Sequence, residues 1–183
     1  MTSRSRLILS NFVIYQVAWF AGIWSAATER PWIGAITMAM AIGIHVFRAP
    51  RREPELMLVS LALLIGLVFD SLLAWRGWVN YPSGMLLPGM APYWMVFMWG
   101  LFATLLNVTL RWMHGRWVVA ALLGAIGGPA AYYGGMRMGA LHFANEGAAL
   151  VALVVGWAII TPLLVALAGR FNGYACVPET TTS

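Results

Sequence analysis

Six apolar runs follow one another along this chain, separated by short polar segments and almost free of charge. They cover residues 7–27, 32–47, 56–75, 92–112, 117–136 and 147–168. Crossing the hydrocarbon core of a bilayer takes about 20 apolar residues as a helix. Lipid offers no partner to a free amide, so only helices or closed barrels span it. These runs are continuous rather than alternating, which selects helices over barrel strands. The expected fold is all-α: a single polytopic membrane domain, a bundle of six transmembrane helices.

The remaining composition agrees. Only 9% of the 183 residues are charged and 61% are apolar, where a soluble domain carries about a quarter charged residues. Such a chain cannot cover a water-soluble globule with polar surface. That argues against a nucleic-acid binder, a secreted disulfide scaffold and a soluble α/β enzyme. All 11 basic residues are arginine, so Schiff-base and P-loop lysine chemistry are out of reach. The single cysteine, Cys176, forms no internal disulfide and no multi-cysteine metal cluster.

Arginine placement sets the expected orientation. With the N-terminus inside, the inner segments hold Arg4, Arg6, Arg48, Arg51, Arg52, Arg111, Arg116 and Arg170. The outer loops hold Arg30, Arg76 and Arg137. This asymmetry follows the positive-inside rule and puts both termini in the cytoplasm. The first run exceeds the ~7–15 apolar residues of a cleaved signal and is read as a retained helix. Residues 76–91 form the longest outer loop, apolar enough to lie on the interface or dip over the bundle. Residues 171–183 are expected to be a mobile cytoplasmic tail.

Polar side chains inside a membrane are costly and often functional. The candidates are Asp70 and Ser71 on the third helix, His45 on the second, Asn11 on the first and Asn107 on the fourth. Asp70 can be a proton- or ion-binding carboxylate, a catalytic acid (with His45 too far away in depth for direct cooperation), or simply bond to Tyr132 or Tyr133 at similar depth. Asn107 falls in a stripe with Gly100, Ala103, Thr104 and Arg111, a pattern that reads first as helix packing. No second histidine stands at ligand spacing from His45, and no metal site is expected. His142 and Glu146 are four apart, yet Asn145 and Glu146 read more simply as the start of the sixth helix.

The fifth helix is the most distinctive. Gly124 and Gly128 form a GxxxG pair, and Gly135 and Gly139 a second. Such pairs let backbones approach closely. Pro129 removes an amide and leaves the Ala125 carbonyl without its usual donor. A bent helix at the centre of the bundle is expected, with Pro162 adding a second kink in the sixth. Metalloprotease, hydrolase and phosphate-loop motifs are absent from the sequence, and no cofactor is expected.

Together these residues resemble a bacterial inner-membrane family catalogued as domain of unknown function 2878. The resemblance rests on Asn11 with Trp19, the Asp70-Ser71-Leu72-Leu73 step, and Trp99-x-x-Phe102-Ala103-Thr104-x-x-Asn107. It is strongest over Leu123-Gly-Ala-Ile-Gly-Gly-Pro129, followed by Tyr132, Gly134 and Arg137. The family carries no assigned activity. Its association with fatty-acid modification and oxidative-stress genes implies membrane-lipid chemistry. The expected role is therefore accessory or lipid-binding, with membrane lipids or a membrane-bound enzyme as partner. A small proton-coupled transporter using Asp70 is the alternative.

Overall fold

The computed structural model describes residues 2–175. Six α-helices carry the fold: α1 (Ser3–Ala27), α2 (Pro31–Arg48), α3 (Arg52–Trp75), α4 (Tyr93–Leu106), α5 (Trp117–Arg137) and α6 (Glu146–Arg170). Five are long and apolar enough to cross a membrane, and α4 is a shorter apolar helix. Two short strands, β1 (Val79–Asn80) and β2 (His142–Phe143), pair antiparallel and join the α3–α4 loop to the α5–α6 loop. Thr2 caps α1 and Asn145 caps α6, each side chain accepting from a first-turn amide. The cap by Asn145 and the acid at Glu146 match the helix-start reading of that segment.

The bundle is built from hairpins. α1 packs on α2, α3 on α4 and α5 on α6. Alternating direction leaves the start of α1 and the end of α6 at the same end of the molecule. Leu7 and Ile8 of α1 pack beside Val108 and Tyr174 there. The eight arginines assigned to inner segments belong to this end.

The helix at the centre is α4, not α5 as expected from its glycines. α4 touches α1, α2, α3 and α6, whereas the principal helical partner of α5 is α6. Trp94, Trp99, Leu101, Ala103 and Leu106 of α4 are buried, while Val118, Leu122 and Ile126 of α5 face outward. A helix apolar on all sides fits the middle of a bundle; small residues guarantee only one close neighbour. For α5 that neighbour is α6. A Cβ at Gly124 would strike Thr161 and the Trp157 carbonyl, and one at Gly128 would strike the Trp157 ring. Both α5 and α6 run uninterrupted through Pro129 and Pro162.

α4 also ends earlier than its apolar run. The run reaches residue 112, but the helix stops at Leu106 after 14 residues, about 21 Å. Asn107 is therefore its C-cap, and the expected stripe does not continue to Arg111 on one helical face. Stopping within apolar surroundings leaves terminal carbonyls to satisfy. The Asn11 amide donates to the Thr104 carbonyl at 3.1 Å. The Leu110 amide reaches the Leu105 carbonyl at 2.8 Å. His114 donates from Nε2 to the Leu106 carbonyl at 3.0 Å. Burial is the main influence holding His114 below the usual imidazole range, with Arg111 adding to it against the carbonyl bond.

Part of the expected tail is fixed. Gly173 and Tyr174 are buried, the Arg51 amide donates to the Gly173 carbonyl at 3.2 Å, and the Arg51 guanidinium to the Asn172 carbonyl at 2.9 Å. These two bonds from Arg51 tie the segment after α6 to the start of α3. Residues 176–183, with Cys176, lie outside the described residues.

The α5–α6 seam gives a paired test. Gly128→Ala places a methyl into the Trp157 ring and should lower stability by about 1–3 kcal/mol. Gly127→Ala meets open space and should be neutral or slightly stabilising. Unfolding temperatures in detergent separate the two.

Candidate functional site: an aromatic cleft braced by Asp70

The buried face of α3 runs Glu55, Leu58, Val59, Ala62, Gly66, Asp70 and Leu73, at the three- and four-residue steps of one helical face. Gly66 has no side chain because the Trp99 ring of α4 lies against it; a Cβ there would enter the indole. One turn further, the same indole donates from Nε1 to Asp70 Oδ2 at 2.6 Å. Asp70 Oδ1 accepts from Tyr132 of α5 at 2.6 Å and from Tyr81 of the α3–α4 loop at 2.8 Å. Asp70 is fully buried. An acid in that position is tolerable when donors meet both oxygens. Burial, and then the Asp70 carboxylate, push the Tyr81 hydroxyl well above its usual range, so it remains a donor.

The α3–α4 loop is thereby drawn over the bundle. Val79, Tyr81 and Ala91 are buried. Ser71 accepts from the Ala91 amide at 2.9 Å, Ser83 donates to the Ala26 carbonyl at 2.9 Å, and Trp94 donates to the Ser83 carbonyl at 3.1 Å. Tyr133, the other expected partner of Asp70, is exposed. The choice falls to Tyr132 because its side of α5 turns into the bundle.

Two of the Asp70 donors are also walls of a cleft. Tyr15, Trp19 and Ile23 of α1, Met95, Met98, Trp99 and Phe102 of α4, Ala131 and Tyr132 of α5, Leu141, and Trp157 of α6 surround a cavity of about 50 Å³, partly open at the bundle surface. Trp99 and Trp157 stack with centroids 4.5 Å apart and planes 16° from parallel. Phe102 meets Trp157 edge-on at 5.5 Å. Among the described residues, no charged side chain lines this cleft. Asp70 sits behind the wall and fixes the rings that form it.

A second polar cluster lies at the arginine-rich end. Glu55, also fully buried, meets His45 Nε2 through Oε2 at 2.8 Å. Its Oε1 accepts from Asn107 Nδ2 at 2.7 Å and the Gly173 amide at 2.8 Å. Asn107 donates as well to the Phe171 carbonyl at 2.9 Å. Tyr174 donates to the His45 carbonyl at 2.6 Å, a group in the last turn of α2 with no intrahelical donor. Asn11 stands apart from this cluster and accepts from Thr109 at 2.6 Å. Glu55 and Asp70 are separated by 15 residues of α3, about 22 Å. His45 and Asp70 therefore belong to different clusters and cannot act on one atom.

Sequence reasoning missed Glu55, which stood one residue outside the apolar run among arginines. Stepping back from Asp70 by fours and threes reaches it through Gly66, Ala62 and Val59, and that register was the available signal. Among the described residues, no three His, Cys, Asp or Glu side chains gather as metal ligands would.

Five membrane-length helices, a short central one and buried polar braces define a multi-pass helical membrane protein. The family model described as "Protein of unknown function (DUF2878)" matches residues 8–163, and the chain belongs to that family. No curated protein and no solved structure matches it.

The brace predicts a graded response. Asp70→Asn keeps an oxygen for the two tyrosines but turns an amide N–H₂ toward the Trp99 N–H, and should cost about 1–3 kcal/mol. Asp70→Leu strands all three donors and should cost more. Thermal unfolding in detergent should rank wild type above Asn above Leu; equal stability of all three would show the bonds contribute nothing.

Proposed function

We propose that this protein binds a membrane lipid in the cleft between α1, α4, α5 and α6, and serves membrane-lipid modification or homeostasis as an accessory protein of the bacterial inner membrane. The observation that carries this reading is the cleft itself: apolar and aromatic on every side, free of charge, partly open, and set among membrane-length helices. Binding sites are concave and mostly apolar, with a few placed polar groups. The arginine-rich end faces the cytoplasm in this reading. Transport coupled through Asp70 is less well supported, because both its oxygens already accept hydrogen bonds in a buried cluster and it does not line the cleft.

A phospholipid carrying a photoreactive group in its acyl chain tests this on purified protein in nanodiscs. Crosslinks should map to peptides containing Trp19, Phe102, Tyr132 or Trp157. Ala131→Phe, which fills the cleft from α5, should reduce them several-fold while leaving labelling elsewhere unchanged. Uniform labelling of the whole lipid-facing surface, insensitive to Ala131→Phe, would overturn the reading.

Orientation has its own test. Single cysteines at Ser3 and Gly77, in a Cys176→Ala background, should be labelled by an impermeant maleimide in intact cells only at Gly77.

A further inference from the structure

α2 and α3 follow one another in the chain, yet they touch little along their length, and each packs on α4 instead. Ile42 of α2 and Leu63 of α3 meet over Gly100 of α4, where a Cβ would stand 3.0 Å from the first and 2.9 Å from the second. The two helices straddle α4 and leave a groove of about 400 Å³ between them, a size within the ~300–1,000 Å³ of ligand sites. Its walls are apolar. Val46 and Val59 are buried in them, and Phe47 and Leu56 are exposed at the rim. Gly43 keeps the groove wide, since a Cβ there would meet nothing within 4 Å.

One end of the groove is cationic. Arg48, Arg51 and Arg52 stand where α2 gives way to α3. Against them is one exposed acid, Glu53, because Glu55 is buried against His45. Arg48 donates to Ser10 of α1 at 3.4 Å, and Arg51 to the Asn172 carbonyl. Arg52 lines the groove, its guanidinium 4.9 Å over the Phe47 ring. That contact holds the cation at the mouth, and its planar fork matches the oxygens of a phosphate.

Depth fits a lipid. From Arg52 to Leu63 the groove follows α3 for 11 residues, about 16 Å, which is half of a ~30 Å hydrocarbon core. A chain lying there starts at a headgroup beside Arg52 and ends near the midplane. A soluble phosphate compound would leave the apolar walls uncovered, and a zwitterionic headgroup brings its own cation to a cationic turn.

We propose that the α2–α3 groove seats an acyl chain of an anionic phospholipid from the leaflet at the arginine-rich end, with Arg52 holding the headgroup phosphate. This site is separate from the aromatic cleft between α1, α4, α5 and α6 and does not rest on it.

Photoreactive phosphatidylglycerol and phosphatidylcholine, carrying the reactive group in the same acyl chain, test the assignment in phosphatidylcholine nanodiscs. At equal mole fraction, phosphatidylglycerol should label groove peptides containing Ile42 or Leu63 about fivefold more, the value of one arginine beside an anionic lipid. Arg52→Gln should erase that preference. Arg116→Gln, the same charge loss on a side chain that lies over Trp112 at the same end, should keep it. Gly43→Leu, which narrows the groove from open space, should reduce labelling by both lipids, and Ala131→Phe should not change it. Equal labelling by the two lipids would overturn the anionic headgroup. Equal loss of preference in Arg52→Gln and Arg116→Gln would overturn the role of Arg52 in favour of the general positive potential of that end. A groove that neither lipid labels would overturn the site and assign its walls to a second copy or a partner helix.

Discussion

One carboxylate receives hydrogen bonds from three separate parts of the chain. Asp70 on α3 accepts from Trp99 on α4, Tyr132 on α5 and Tyr81 in the α3–α4 loop. Helices in lipid gain little from apolar contact with one another, because the tails are as apolar as the side chains. Placing a fully buried acid among them changes that balance. Each donor must stay where it is, or the acid is left unpaired in a medium that cannot solvate it. The inward turn of Tyr132 on α5, the course of the α3–α4 loop and the orientation of the Trp99 ring all serve that requirement.

α3 carries the counterpart at its other end. Glu55 gathers His45, Asn107 and Gly173 and so ties α2, the end of α4 and the segment after α6. The two acids lie on one face of one helix, about 22 Å apart. Between them the contacts are apolar: Leu58, Val59 and Ala62, with Trp99 seated on Gly66. α3 thus works as a spine with a polar clamp near each membrane surface. A central helix of 14 residues can stop short of a full span because its last carbonyls find partners. They meet Asn11, His114 and a local turn rather than lipid.

The Asp70 clamp is also what connects stability to function in the proposed reading. Trp99 and Tyr132 have two tasks, bonding to Asp70 and walling the cleft. Their hydrogen-bonding groups are spent on the acid, so the faces of the rings are what the cleft presents. Trp157 stacks on Trp99 in the same wall.

Much of this was legible in the residues. Length of apolar runs, scarcity of charge and the backbone's need for internal partners fixed a helical membrane bundle, since no other architecture satisfies those amides in lipid. Asp70 stood out because an intramembrane acid is expensive, and Tyr132 was among its foreseeable partners. Tertiary structure alone decided which helix is central, where α4 ends, and that Tyr132 rather than Tyr133 turns inward. It also brought Glu55, distant in the chain from Asn107 and Gly173, into one cluster with them. Periodicity reports that a face is apolar or small, but not which neighbour will cover it. That choice depends on contacts between residues far apart in sequence, and only the packed bundle makes them.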